Sequence, residues 1–99
     1  MERGLVHYIT MKVVPANDGV HKWTVTFNDG KSVSFGQKGA DDFTITHDKE
    51  QRLRYRARHA KDLRSGDPRK PGLLSYHLLW GPSTSLSANI KAYEKKFRV

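Results

Sequence analysis

The chain contains no cysteine, which excludes disulfide bonds and the thiolate zinc sites that staple many small domains. Its apolar runs are only a few residues long, far short of the roughly 20 needed to cross a bilayer, so no transmembrane insertion is expected. The N-terminal stretch MERGLVHYITMKVV has no signal-peptide pattern, and the expectation is a soluble, non-secreted protein of a reducing compartment. Histidines are present at His7, His21, His47, His59 and His77, but never at H-x-x-H or H-E-x-x-H spacing, so zinc chemistry has no local support. No internal repeat or low-complexity tract is visible. Acidic residues are scarce: Asp and Glu number 10 against 18 Lys and Arg, a net charge of +8. Such a surplus calls for a negative partner, whether nucleic acid, an acidic protein surface or an anionic membrane face.

A chain of 99 residues supports one domain with one modest core. Residues 5–14 are rich in β-formers and read as a first strand. Pro15, Asn17, Asp18 and Gly19 then reverse the chain. In residues 20–27 Trp23, Val25 and Phe27 alternate with Lys22, Thr24 and Thr26. Asn28-Asp29-Gly30-Lys31 is a tight-turn signal, and Val33 and Phe35 resume on the return strand. Phe43 and Ile45 continue the period of two, as a further short strand or a segment folded over the sheet. Residues 73–80 form a short, largely buried helix stopped by Gly81-Pro82. Ser83, Thr84 or Ser85 caps a last helix with Leu86, Ile90, Tyr93 and Phe97 inward and Lys91, Lys95 and Lys96 outward. Strands first and helices afterwards predict an α+β domain: an antiparallel sheet of three to four strands followed by three helices packed on one face.

Residues 43–64, FTITHDKEQRLRYRARHAKDLR, carry the functional expectation. Thr46 and Asp48 are suited to cap a helix, with Asp48 and Glu50 at its positive end. Helical spacing then places Leu53, Ala57, Ala60 and Leu63 on a thin apolar seam expected to dock, and Arg52, Arg54, Arg56, Arg58, Lys61 and Arg64 over the remaining circumference. Arginine predominates, and its forked guanidinium suits carboxylate or phosphate. The loop at residues 65–72 adds Arg69 and Lys70. These eight cations are the expected partner- or phosphate-binding residues.

Catalytic constellations are thin. Asp41 and Asp42, upstream of Asp48 and Glu50, raise the idea of a divalent-metal nuclease, but paired carboxylates before a helix usually cap it, and Asp29 sits where a hairpin tip wants Asp. Gly36-Gln37-Lys38-Gly39 matches a GxxG phosphate clamp only weakly, because it leaves a strand and does not join two helices. His47 at the helix start and the pair Tyr55 and His59, four residues apart, read first as capping and packing. No catalytic residue, metal or cofactor is expected.

Three stretches, GKSVSFGQKGADDFTITHDKEQRLRYRARH at residues 30–59, GLLSYHLLWG at 72–81 and IKAYEKKF at 90–97, resemble a family of small basic proteins of nucleocytoplasmic large DNA viruses of algae and protists. That resemblance implies a virion protein synthesised in the host cytoplasm and brings no catalytic residues with it. The expectation is a minor capsid or virion component that binds acidic surfaces of larger capsid proteins. The alternative is a DNA-binding or packaging protein that sets the same basic face on phosphates.

Overall fold

A computed structural model describes residues 11–99. Three antiparallel strands, β1 (Met11–Pro15), β2 (His21–Phe27) and β3 (Ser32–Gln37), lie in the order β1-β2-β3. The expected first strand is met by β1, and the part of it before Met11 lies outside the described residues. Val13 pairs with Val25, Val25 with Val33 and Trp23 with Phe35. Paired residues share a sheet face, so Met11, Trp23, Val25, Phe27 and Phe35 form one apolar surface. The other face carries cross-strand hydroxyl pairs, Thr24 with Ser34 at 2.9 Å and Thr26 with Ser32 at 2.8 Å. At the hairpin tip Gly30 takes a φ of 88°, which costs a residue without Cβ little. Its amide donates to the Phe27 carbonyl while Asp29 accepts from the Lys31 amide.

Helices follow the sheet, giving the expected α+β architecture: α1 (Phe43–Thr46), α2 (Lys49–Arg58), α3 (Pro71–Leu74) and α4 (Leu86–Phe97). Asp42, Asp48 and Ser85 cap α1, α2 and α4 by accepting amide hydrogen bonds. Phe43 and Ile45 are helical, not extended. Asp42, 1 % exposed and bound by the Lys22 ammonium, accepts from the Thr44 amide and starts a turn that buries Phe43 and leaves Ile45 outside. The helix expected through residue 64 tightens after Arg58 into a 3-10 turn, Ala60–Arg64. Pro71 begins α3 two residues before the expected start, since its missing N–H is no loss in a first turn. From Ser75 to Leu79 the same helix widens into a π turn, closed by the Trp80 amide donating to the Ser75 carbonyl.

The core joins Val25, Phe27 and Phe35 of the sheet to Leu74, Leu78, Leu79, Trp80 and Tyr93. Asn89 is buried where the apolar pattern offers no sign of it. Its amide nitrogen donates to the Leu78 and Ser83 carbonyls, and its oxygen accepts from the Ser83 amide, so it pins the turn between α3 and α4. Gly81 sits in that turn because a Cβ there would lie 2.1 Å from the His77 carbonyl oxygen.

His77 packs among Tyr76, Tyr93 and Phe97, and its Nε2 is buried without a hydrogen bond. Burial, with Arg56 and Lys96 nearby, pulls its pKa from 6.5 down to about 4. The unfolded chain therefore takes up this proton before the folded one does, so His77 costs no stability above pH 6.5 and progressively more as pH falls towards 4. His77→Phe, which keeps the aromatic packing, is expected to flatten the fall in urea midpoint across that window. An unchanged slope would contradict the assignment.

Candidate functional site

The arginine helix docks by a different face from the one its apolar spacing indicates. Leu53 is 63 % exposed and Leu63 45 %, and Ala57 and Ala60 also face solvent. The inward residues are Arg52, Tyr55, Arg56 and His59, spaced at three and four. Tyr55 decides the matter physically, because one aromatic ring buries more area than two alanines. It lies between Trp80, at 4.4 Å and 9°, and His59, at 4.1 Å and 18°. Burial pushes its phenol up to about 12.

Arg52 and Arg56, expected on the contact surface, are instead internal fasteners. Nε of Arg52 donates to the carbonyls of Trp80 at 3.2 Å and Gly81 at 2.7 Å, and Nη1 of Arg56 donates to Trp80 at 2.8 Å. These carbonyls terminate the α3 helix and its π turn, where acceptors are left over and the dipole is negative. The Arg56 guanidinium also lies 4.2 Å from the Tyr76 ring centre and that of Arg52 5.6 Å from Phe43. Burial, then repulsion from Arg56, lowers the pKa of Arg52.

Arg69 is likewise engaged: Nη1 meets Asp29 at 2.7 Å and the guanidinium covers Phe27 at 4.8 Å, latching the loop before α3 to the hairpin. This pairing, with the Lys31 amide bond, lowers the pKa of Asp29. Lys70 is exposed at the start of α3. Arg54, Arg58, Lys61 and Arg64 project outward from α2 and its 3-10 turn, with no ion pair among the described residues. Of the eight expected cations, these four come together on one face, and they flank the exposed Leu53, Ala57, Ala60 and Leu63.

The chain is similar to a family of unknown function (DUF5754) over residues 11–59. That stretch runs through the sheet, α1 and α2 and ends at His59, so it includes Arg52 and Arg56 but not the carbonyls that receive them. No curated protein and no solved structure matches the chain at a significant level.

The other sequence candidates resolve into structural roles. Asp42 and Asp48 are caps, Asp41 and Glu50 are exposed, and no group of three metal-capable side chains converges among the described residues. In the GxxG stretch the Lys38 amide donates to the Val20 carbonyl and is not free for phosphate. Gly36 is required by its φ of 78°, which disfavours any residue with a Cβ, and by the approach of the Leu79 and Lys22 side chains. His47 ends α1 at a φ of 58°, its amide donating to Phe43.

Arg52→Met, which leaves the Gly81 carbonyl without its donor, is expected to cost about 2 kcal/mol, and Arg56→Met, which leaves Trp80 only the 3.2 Å bond from Arg52, about 1 kcal/mol. Arg54→Ala and Arg58→Ala should stay within about 0.5 kcal/mol of the parent. Urea denaturation of the four variants checks the division. Equal losses on both pairs would refute it.

Proposed function

We propose that the chain is a non-enzymatic binding module that seats the outer face of α2 and its 3-10 turn on an acidic protein surface. The exposure of Leu53, 63 % open on a helix that has already docked its other, half-buried face, carries this reading. Together with Ala57, Ala60 and Leu63 it makes an apolar stripe, and Arg54, Arg58, Lys61 and Arg64 border it. A stripe of this kind fits a partner with an apolar groove and acidic rims, where the apolar contact supplies affinity and the charges supply orientation. Duplex DNA offers mainly phosphates and polar base edges, with little apolar surface for a stripe of two leucines and two alanines, so DNA binding or packaging ranks second. The resemblance to small basic proteins of large DNA viruses supports a place in the virion, as a minor capsid component beside larger capsid proteins.

Leu53→Asp is expected to abolish recovery of the chain with purified particles while leaving its urea midpoint unchanged, and Arg54→Ala with Arg58→Ala should weaken it. Nuclease treatment of opened particles should not release the parent chain. Release by nuclease, together with DNA affinity that falls log-linearly with salt at about −0.9 per contacted phosphate, would favour the DNA reading. Absence from particles would overturn the virion role.

A further inference from the structure

Beneath the outer face of α2 lies an open-sided cavity of about 590 Å³, with walls that include His21, Gln37, Tyr55, His59, Lys61 and Asp62. A second of about 530 Å³ adjoins it, the two sharing Gly36, Gln37, Tyr55, His59 and Ser75. Volumes of this size fall within the roughly 300–1,000 Å³ of small-ligand sites. Leu53, Ala57, Ala60 and Leu63 of the proposed docking stripe line neither cavity, while Lys61 and Arg58 at its border do.

Two features indicate a ligand class. Trp80, Tyr55 and His59 form a continuous stack, with both faces of Tyr55 taken. The stack therefore ends on His59, whose side chain is 39 % exposed and lines the cavity, so the next layer would be a planar ring supplied by a ligand. The second feature is a matched pair of imidazoles. Nδ1 of His21 lies 2.6 Å from Asp18 Oδ2, and Nδ1 of His59 lies 3.3 Å from Asp62 Oδ2. A carboxylate accepting from Nδ1–H leaves Nε2 of each ring as the nitrogen that meets a ligand, and the imidazolium form presents an N–H there that donates to an oxyanion.

Charge and valence narrow the choice. Lys61 puts a fixed cation on the same wall. The opposing charges are Asp18 and Asp62, engaged by His21 and His59, and Asp41 in the adjoining cavity, where Arg58 and the Asp42-paired Lys22 also lie. No third metal-capable side chain joins the imidazoles among the described residues, so an oxyanion suits the wall better than a cation. We infer that this cavity takes a small phosphorylated ligand with a planar ring, of the nucleoside monophosphate class, its ring on His59 and its phosphate at His21 and Lys61.

Calorimetric titration of the full chain with adenosine monophosphate, adenosine and inorganic phosphate tests this. The monophosphate should saturate with a Kd below about 1 mM, with the other two weaker by at least about tenfold, the worth of a charged hydrogen bond. His21→Gln should weaken the monophosphate about tenfold and leave adenosine unaffected. His59→Leu, which keeps apolar packing on Tyr55, should weaken both. A 5′-phosphorylated trinucleotide that binds as well, with the same sensitivity to His21→Gln, would support the site and identify its ligand as a strand end. Leu53→Asp should leave all of these values unchanged, so failure of the docking stripe and failure of the cavity remain separately visible. Absence of saturation to about 10 mM, phosphate binding as tightly as the monophosphate, or indifference to His21→Gln would overturn the inference.

Discussion

Two guanidinium groups closing the carbonyl end of a neighbouring helix set the geometry of everything that bears on function. The α3 segment ends in a π turn followed by Gly81, leaving the Trp80 and Gly81 carbonyls without helical partners, at the negative pole of the helix. Arg52 and Arg56, one turn apart on α2, meet that pole with Nε and Nη1 respectively while their guanidinium groups lie over the Phe43 and Tyr76 rings. With these two residues inward, the rotation of α2 about its axis follows. Tyr55, between them, must stack on Trp80, His59 must follow it to the cavity wall, and Leu53, Arg54, Ala57 and Arg58 must face water.

The consequence is a separation among residues that look alike in the sequence. Arg52 and Arg56 hold the fold and Arg69 latches a loop to the hairpin, so the basic surplus of +8 overstates the charge available to a partner on this helix. What remains outward is a smaller set, Arg54, Arg58, Lys61 and Arg64, but it borders exposed leucines and alanines and so has a more definite character than a scattered basic surface. Cation and apolar stripe together argue for a protein partner where charge alone argued equally for nucleic acid.

Much of the scaffold was legible because its signals are local. The alternation of Trp23, Val25 and Phe27, the Asp29-Gly30 turn and the caps at Asp48 and Ser85 each depend on a few neighbouring residues. Alternation continued to Phe43 and Ile45, and there the Asp42 cap, reinforced from Lys22 twenty residues away, overrode it. The docking face of α2 was not legible for a similar reason. Helical periodicity assigns alanines inward and arginines outward, and the assignment fails when another part of the chain supplies carbonyls that the arginines satisfy. Asn89 and Gly81 belong with this group, since their roles are set by the turn they fill. In the sequence itself, Tyr55 and His59, with Arg52 and Arg56 at matching intervals, outweigh a seam made largely of alanine.

Because the natural chain lacks cysteine, single cysteines report the orientation of α2 directly. Variants Leu53→Cys, Ala57→Cys and Arg52→Cys, each folded, would be labelled with a small thiol reagent under native conditions and compared with the same chains in urea. The account predicts labelling at positions 53 and 57 nearly as fast as in the unfolded chain and marked protection at position 52. Protection at 53 and 57 with free reaction at 52 would contradict it, and would return the alanine seam to the core and the arginines to solvent.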